Sequence, residues 1–321
     1  MARSGDIRVG VSGWTYPPWR GNFYPKGLPQ KRELAYAAHA FNALEINGTH
    51  YAMQTPSAFA AWAEAAPADF VYAVKSPRYI THMLQLKNAD AALANFCASG
   101  LLALGDKLGP ILWQFPARFH FNADRLEAFF RKLPRTTAEA ARIGRHHDHR
   151  LKARAYLRVE SDRPLRHAIE IRHDSFRDPA FIDLLRRYDI ALVCADTVDW
   201  PLLMDLTADF VYCRLHGSTE LYRSRYSEAE LDRWAERIRA WSTGQPMADG
   251  NFVSAPVADK KPRDVFLFSD NTDKLQALDN ARGLMARLGI TGDDTWQAPS
   301  APAWPAGSSP NGAAAISIPR A

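Results

Sequence analysis

A closed (β/α)₈ barrel is the fold class this sequence predicts, on two observations. Short β-branched and aromatic runs occur eight times, and most are followed by a segment with helical apolar spacing. The runs are nearly continuous in apolar residues, as strands of a parallel sheet covered on both faces must be. A doubly wound open sheet would show the same alternation. No Gly-rich turn follows any strand, however, so no dinucleotide-binding fingerprint supports it.

The first strand is read at Ile7–Ser12 (IRVGVS). A helix follows, because Leu34, Ala37, Ala38 and Phe41 fall on one stripe. The second strand is Ala43–Asn47 (ALEIN). Thr55 and Pro56 then supply a cap and a first-turn residue for a helix with Phe59 and Trp62. The third strand is Phe70–Lys75 (FVYAVK). Asn88 is expected to cap a helix carrying Leu93, Phe96, Cys97, Leu101 and Leu104. The fourth strand is Pro110–Phe115 (PILWQF), and residues 136–164 form an insertion before the fifth, His167–Ile171 (HAIEI).

Asp178-Pro179 opens a helix with Phe181, Leu184, Leu185 and Tyr188 ahead of the sixth strand, Ile190–Ala195 (IALVCA). The seventh strand is Phe210–Leu215 (FVYCRL). Only Thr197–Asp209, interrupted by Pro201, is left for the crossover between them, so an irregular connection without a full helix is expected. Ser227 and Glu230 form a capping-box pair ahead of Leu231, Trp234, Ile238 and Trp241. Val265–Ser269 (VFLFS) is the eighth strand, and Leu275, Leu278, Met285 and Leu288 mark the last helix.

A single barrel domain is thus expected over residues 1–290. Residues 291–321, rich in Pro, Ala, Ser and Gly, are expected to be a mostly disordered tail. The 321 residues are 47% hydrophobic and 23% charged, which excludes a chain disordered throughout. No apolar run is long enough for a transmembrane helix, and the N-terminal residues pass straight into strand one without a signal core. A cytoplasmic protein with no membrane partner is expected. Cys97, Cys194 and Cys213 each lie in an apolar run and read as buried small hydrophobes.

The net charge of +5 is uneven. Residues 131–172 carry twelve Lys or Arg against five Asp or Glu, so the basicity belongs to the insertion and its flanks. Nucleic acid is therefore kept as a partner through a peripheral contact. His146, His147, Asp148 and His149 lie between Arg145 and Arg150 and read as a solvated helix end rather than a metal site.

In such barrels ligands bind where strands end and the following loops begin. Every strand here ends in polar groups: Ser12, Gly13 and Trp14; Glu45 and Asn47; Lys75; Gln114; Glu170 and Arg172; Asp196; Arg214 and His216; Asp270 and Asn271. Burying so many polar groups for packing alone would be unfavourable, so they point to a site. Glu170 or Asp196 suits a general base, and His216 or Lys75 an acid or electrostatic stabiliser. Arg172 and Arg214 suit a phosphate or carboxylate. His82 and His173 are further titratable groups. A divalent metal stays open, although no tight ligand spacing is present. Trp14, Tyr16, Trp19, Phe23 and Tyr24 after strand one form either a plug or a stacking wall for a sugar or base. Tyr222, Arg223, Arg225 and Tyr226 repeat an aromatic-plus-basic mixture after strand seven.

Several of these residues resemble the motifs of a known family. Ser12-Gly13-Trp14-x-Tyr16-x-x-Trp19-x-Gly21-x-Phe23-Tyr24-Pro25 resembles the opening motif of the YecE-like family, the domain of unknown function 72. Glu45-Ile46-Asn47-Gly48-Thr49-x-Tyr51 is similar to its second motif, and Lys75-Ser76-Pro77 with Thr81-His82 to its third. Gln114-x-Pro116, Ile171-Arg172-His173-x-Ser175, Arg214-x-His216-Gly217 and Phe268-x-Asp270-Asn271 follow in family order. Leu275 and Leu278 depart from the smaller residues expected after the last motif. The resemblance spans Ile7 to about Leu288 and implies a TIM barrel but no activity. The barrel is distantly similar to the sugar isomerase and apurinic endonuclease group, whose mouths gather His and carboxylate metal ligands. Lys75, Arg172 and Arg214 speak against a trinuclear metal site here.

The leading expectation is an enzyme doing acid–base or hydrolytic chemistry on a phosphorylated or polyhydroxy ligand, with Glu45, Glu170, Asp196 and His216 in the chemistry. Trp14, Tyr16, Trp19, Asn47, Tyr51, Lys75, His82, Gln114, Arg172, Arg214, Tyr222, Asp270 and Asn271 are expected to hold the ligand. The alternatives are a nucleic-acid-binding protein, with or without phosphodiesterase activity, and a non-catalytic binder of a small ligand.

Overall fold

The computed structural model describes residues 4–151, 154–217, 225–247, 249–257, 259–270, 275–293 and 296. Eight parallel strands close in sequence order into a barrel, with the first paired to the last. They are β1 (Ile7–Ser12), β2 (Ala43–Ile46), β3 (Val71–Lys75), β4 (Leu108–Gln114), β5 (His167–Glu170), β6 (Ala191–Asp196), β7 (Phe210–Leu215) and β8 (Asp264–Ser269). Each boundary lies within two residues of the one read from the sequence.

The helices are α1 (Glu33–Ala40), the single turn α2 (Gly48–Tyr51), α3 (Pro56–Ala65), α4 (Asp90–Ala98), α5 (Ala123–Phe130), α6 (Thr137–Gly144), α7 (Pro179–Arg187), α8 (Glu228–Thr243) and α9 (Leu275–Leu288). Their signals act as expected at three starts. The Thr55 side chain accepts from the amide of Ala58, Asp178 accepts from Ala180, and Ser227 and Glu230 close a capping box. Asn88 does not cap α4. Its φ is +48°, outside the extended region an N-cap residue needs, and Ala89 takes the position instead.

Among the described residues no helix joins β6 to β7. The irregular chain is tied down by Thr207, whose hydroxyl donates to Ile190 O (2.7 Å) and accepts from the Leu192 amide (2.8 Å). The insertion before β5 carries α6, which packs against α4. Asn95 and Asp148 exchange two hydrogen bonds of 2.9 Å there, and His146 and His149 are exposed. At the start of the expected tail, the Asp293 amide donates to His39 O and the Trp296 ring stacks on His39. No helix among the described residues is long and apolar enough to cross a membrane.

Strand alternation divides the core into two layers. Val9, Leu44, Val74, Trp113, Ile169, Cys194, Cys213 and Leu267 belong to the layer packed under the helices, and the three cysteines are buried and unbridged. Ala43, Ala73, Leu112, Ala168, Val193, Ala195, Phe210, Tyr212, Phe266 and Phe268 fill the barrel interior. Aromatic pairs Phe210–Phe266 and Tyr212–Phe268 form its floor. Small residues on β2, β3, β5 and β6 make room for them. Above this floor the same inward positions turn polar.

Candidate functional site

Read upward along the inward face of β7, the order is Phe210, Tyr212, Arg214 and then His216. Arg214 is fully buried at the centre of the mouth. Its Nε and Nη2 donate to the two carboxylate oxygens of Glu45 (3.0 and 2.9 Å). Nη1 donates to Glu170 Oε2 (2.5 Å) and Nη2 to Asp270 Oδ2 (2.6 Å). Nη1 also lies 3.3 Å from His216 Nε2, which must be the acceptor because a guanidinium only donates. One cation thus gathers carboxylates from β2, β5 and the end of β8.

The carboxylates are held in turn from other strands. Glu45 accepts from the hydroxyls of Ser12 (2.8 Å) and Tyr212 (2.7 Å). Glu170 Oε1 accepts from Gln114 Nε2 (2.7 Å) and Arg172 Nε (2.8 Å). The Arg172 guanidinium lies 3.7 Å from the ring centre of Trp200, whose edge also meets His216. Gly13 lets the chain leave β1 in this space. It has a φ of +73°, its amide donates to Glu45 O, and a Cβ there would lie 2.5 Å from the Tyr16 hydroxyl oxygen.

The electrostatics follow from burial and this pairing. Burial alone would raise the Glu170 carboxyl, but Arg214 and then Arg172 hold it well below the usual carboxylate range. Burial and the Arg214 charge push His216 down to about 3, so its imidazole is neutral at pH 7. Lys75, at the end of β3, is lowered to about 8 by burial first and Arg214 second. Its ammonium makes no hydrogen bond or ion pair with a described side chain, although Glu45, Glu170 and Asp270 act on it at longer range.

Beside Lys75 stands a residue the sequence reading passed over. His50, on the turn after β2, donates from Nδ1 to Ser76 O (2.8 Å), which leaves Nε2 as the lone-pair nitrogen. Burial and then Lys75 lower it to about 3. Its ring meets that of His82 at 5.1 Å, and His82 is lowered to about 4 by burial and Lys75. His50 also lines a groove of about 400 Å³ between the turns after β2 and β3, with Tyr51, Met53, Tyr79 and Met83 on its exposed rim. That volume suits a small ligand.

The structure therefore brings together Glu45, Lys75, Gln114, Glu170, Arg172, Arg214, His216 and Asp270, with Tyr51 at the adjoining groove and His82 against the His50 ring. Asn47 lies at the end of β2, and its Oδ1 is buried without a hydrogen-bond partner among the described residues. Four expectations need correction. Asp196 does not face the mouth. Ala191, Val193 and Ala195 take the inward positions of β6, so Asp196 points into the helix layer, where the Trp234 indole donates to it (3.0 Å). Trp19 is fully buried among Phe23 and Tyr24 and cannot stack on a ligand. Trp14 packs edge-on against Trp62, and the Tyr16 hydroxyl is engaged with Ser12 O (2.7 Å), so the loop after β1 is mainly a plug. Arg214 has every nitrogen engaged and Arg172 is paired and stacked, so neither is open as an anion clamp.

Tyr222 and Asn271 lie outside the described residues. Among those that are described, no group of three or more His, Cys, Asp or Glu side chains is placed to hold a metal ion. The Arg214 guanidinium occupies the centre of the carboxylates instead. Besides His50, sequence reasoning missed Tyr212 and Trp200. Tyr212 shares the two-residue alternation of Arg214 and His216, a signal visible in the sequence. Trp200 comes from the irregular β6–β7 connection and carries no such signal.

Comparison with known proteins places this mouth in a family. The model for a protein of unknown function, DUF72, matches residues 8–306. The UPF0759 protein YecE of Escherichia coli K12 is 31% identical over 113 residues, 35% of this chain and 39% of the relative. The chain thus matches about two fifths of that relative's length. A DUF72 family protein from Thermotoga maritima superposes with a TM-score of 0.66 at 23% identity, over 88% of this chain and 99% of the other. One from Enterococcus faecalis V583 gives 0.62 at 18% identity, over 89% and 97%. Their likeness shows the same fold, and the family match over most of the sequence means that this chain belongs to the DUF72 family.

Proposed function

We propose that the chain is an enzyme doing acid–base chemistry on a small, uncharged polyhydroxy ligand at the barrel mouth. The observation that carries this reading is the burial of Lys75, without a side-chain partner among the described residues, beside a cluster whose arginines are paired. Buried ion pairs are seldom retained for stability, since apolar residues of similar volume serve as well or better. Perturbed titratable groups gathered at one end of a barrel are the usual sign of a reaction site.

The roles divide by charge state. Glu45, Glu170 and Asp270, fixed on Arg214, form a rigid anionic frame that favours positive charge developing on a ligand or on Lys75. Lys75, lowered to about 8, is the group able to exchange a proton near pH 7, while His50 and His216, lowered to about 3, stay neutral and offer polar contacts to a ligand. Gln114 and Asn47 are polar groups suited to hydroxyls. The expected phosphate is not supported, because an added anion would face three carboxylates with both arginines already paired.

Solvent exchange tests the reading. Small hydroxyaldehydes, hydroxyketones and polyols are incubated with the protein in D₂O and followed by NMR. Catalysed loss of a C–H signal on one of them, abolished in Glu170→Gln and His216→Gln, is the expected result. No exchange on any member, with no polyhydroxy compound retained on the native protein by mass spectrometry, would remove the proposal.

A further inference from the structure

Lys75 stands apart from the other charged groups of the mouth. Arg214, Arg172, Glu45, Glu170 and Asp270 are all held by hydrogen bonds or ion pairs. The Lys75 side chain, whose register partner on β4 is the interior residue Leu112, keeps 6% of its surface open and has no such partner among the described residues. Lys107 offers a contrast. Its ammonium is also desolvated, yet it donates to Ala63 O and to Ala66 O (2.7 Å) and is plainly structural.

The backbone around Lys75 is pinned. Thr49 Oγ1 donates to Lys75 O (2.6 Å), and His50 Nδ1 donates to the next carbonyl, Ser76 O. Both contacts come from the turn after β2, so the backbone that carries the amine is held in place at the end of β3. The three cysteines belong to buried positions rather than to the mouth, and burial raises the Cys97 thiol to about 12. Among the described residues of the mouth, the amine is a stronger nucleophile than the Ser12 and Ser76 hydroxyls.

We propose that Lys75 is a catalytic nucleophile that forms an iminium with the carbonyl carbon of a small, uncharged hydroxyaldehyde or hydroxyketone. The proposal rests on the acid–base reading of the same site and names its substrate class. An amine adds reversibly to a carbonyl and needs no leaving group other than water. The ligand should be uncharged because Glu45, Glu170 and Asp270 already outnumber Arg172 and Arg214 once the lysine is neutral.

The step balances as follows. The ammonium first gives a proton to solvent water, as a group lowered to about 8 does readily near pH 7. The nitrogen lone pair forms the C–N bond while the carbonyl π pair moves to oxygen, and a proton passes from that nitrogen to the oxygen. A second proton carries that oxygen away as water as the nitrogen lone pair closes the C=N bond. In sum, the lysine ammonium and the carbonyl compound give a protonated imine and one water. The carboxylate frame stabilises the cation produced.

Reductive trapping tests this on the full chain. D-glyceraldehyde and sodium cyanoborohydride, the hydride donor, are added at pH 7, and adducts are located by peptide mass spectrometry. With the amine near 8, its neutral fraction at pH 7 exceeds that of an ordinary lysine on the order of a hundredfold. Lys75 should therefore be labelled at least about tenfold faster than exposed Lys26 and Lys31, and glyoxylate, an anionic aldehyde, should label it more slowly than glyceraldehyde. Lys75→Arg should lose the adduct while keeping its thermal melt. The wild-type map decides the matter even if that variant fails to fold. Adducts spread over exposed lysines with Lys75 unmodified would overturn the proposal. If catalysed deuterium exchange persists in that case, the iminium falls and the acid–base reading stands.

Discussion

The barrel is closed at both ends by an arginine among carboxylates, and the two closures differ in kind. At the N-terminal end, Arg166 reaches Asp264 (2.6 Å) and Asp209 (3.0 Å) and covers the Phe210 ring. Its side chain is 30% exposed, so water shares in solvating it. At the C-terminal end, Arg214 and Glu45 and Glu170 are wholly buried, and beside them is buried a lysine with no side-chain partner among the described residues. One arginine with two carboxylates is enough to close a barrel end. The fuller cluster at the mouth, with its lysine, goes beyond what closure requires, and that excess is what the proposed chemistry would use.

Substitution at the two arginines should separate the ends most strongly. Arg214→Met leaves three carboxylates together without their cation. It should destabilise the fold by about 3–5 kcal/mol in urea denaturation or prevent folding. If Arg214→Met is tolerated within 1 kcal/mol or so, the frame is not what holds the mouth.

Lys75→Met should act in the opposite direction. Burial of the charged amine, lowered from its ordinary value to about 8, opposes folding by about 3 kcal/mol at pH 7. The folded value lies below the unfolded one. The gain from methionine is therefore full below pH 8 and fades as the pH rises towards 10.5. A variant less stable than wild type at pH 7 would mean that the ammonium has a strong partner.

A smaller effect is expected from His216. Its folded value of about 3 lies below the unfolded 6.5, so its contribution is present above pH 6.5 and is lost as the pH falls towards 3. Wild type should lose about 2 kcal/mol from this group by pH 5, and His216→Gln should flatten that part of the profile. An unchanged slope in the variant would assign the acid sensitivity to other groups. Least of all, Arg166→Met should shift stability by less than about 1 kcal/mol and in a salt-dependent way. A loss as large as that from Arg214→Met would erase the distinction between the ends.

Much of the barrel was legible because its strands are short apolar runs bounded by helix signals such as Thr55-Pro56 and the Ser227–Glu230 box. The polar strand ends were legible too, since Glu45, Lys75, Glu170, Arg214 and Asp270 interrupt those runs at a common height. Which way each residue points was not. A strand buried on both faces shows no apolar–polar alternation to set its phase, so Asp196 reads like Glu170 although it faces the helices. Pairing was equally hidden. Arg214 looks like an anion clamp until three carboxylates from distant segments are seen around it. Asn88 failed as a cap because backbone geometry, not residue type, decides that role.

The proposed chemistry needs a Lys75 amine, without a side-chain partner among the described residues, that gives up its proton near pH 8. Lysines carrying ¹³C at Cε, titrated by NMR with Lys75→Arg to assign the resonance, measure this directly. The account predicts one lysine with a midpoint near pH 8 while exposed lysines titrate near 10.4. A Lys75 midpoint at or above 10 would contradict it.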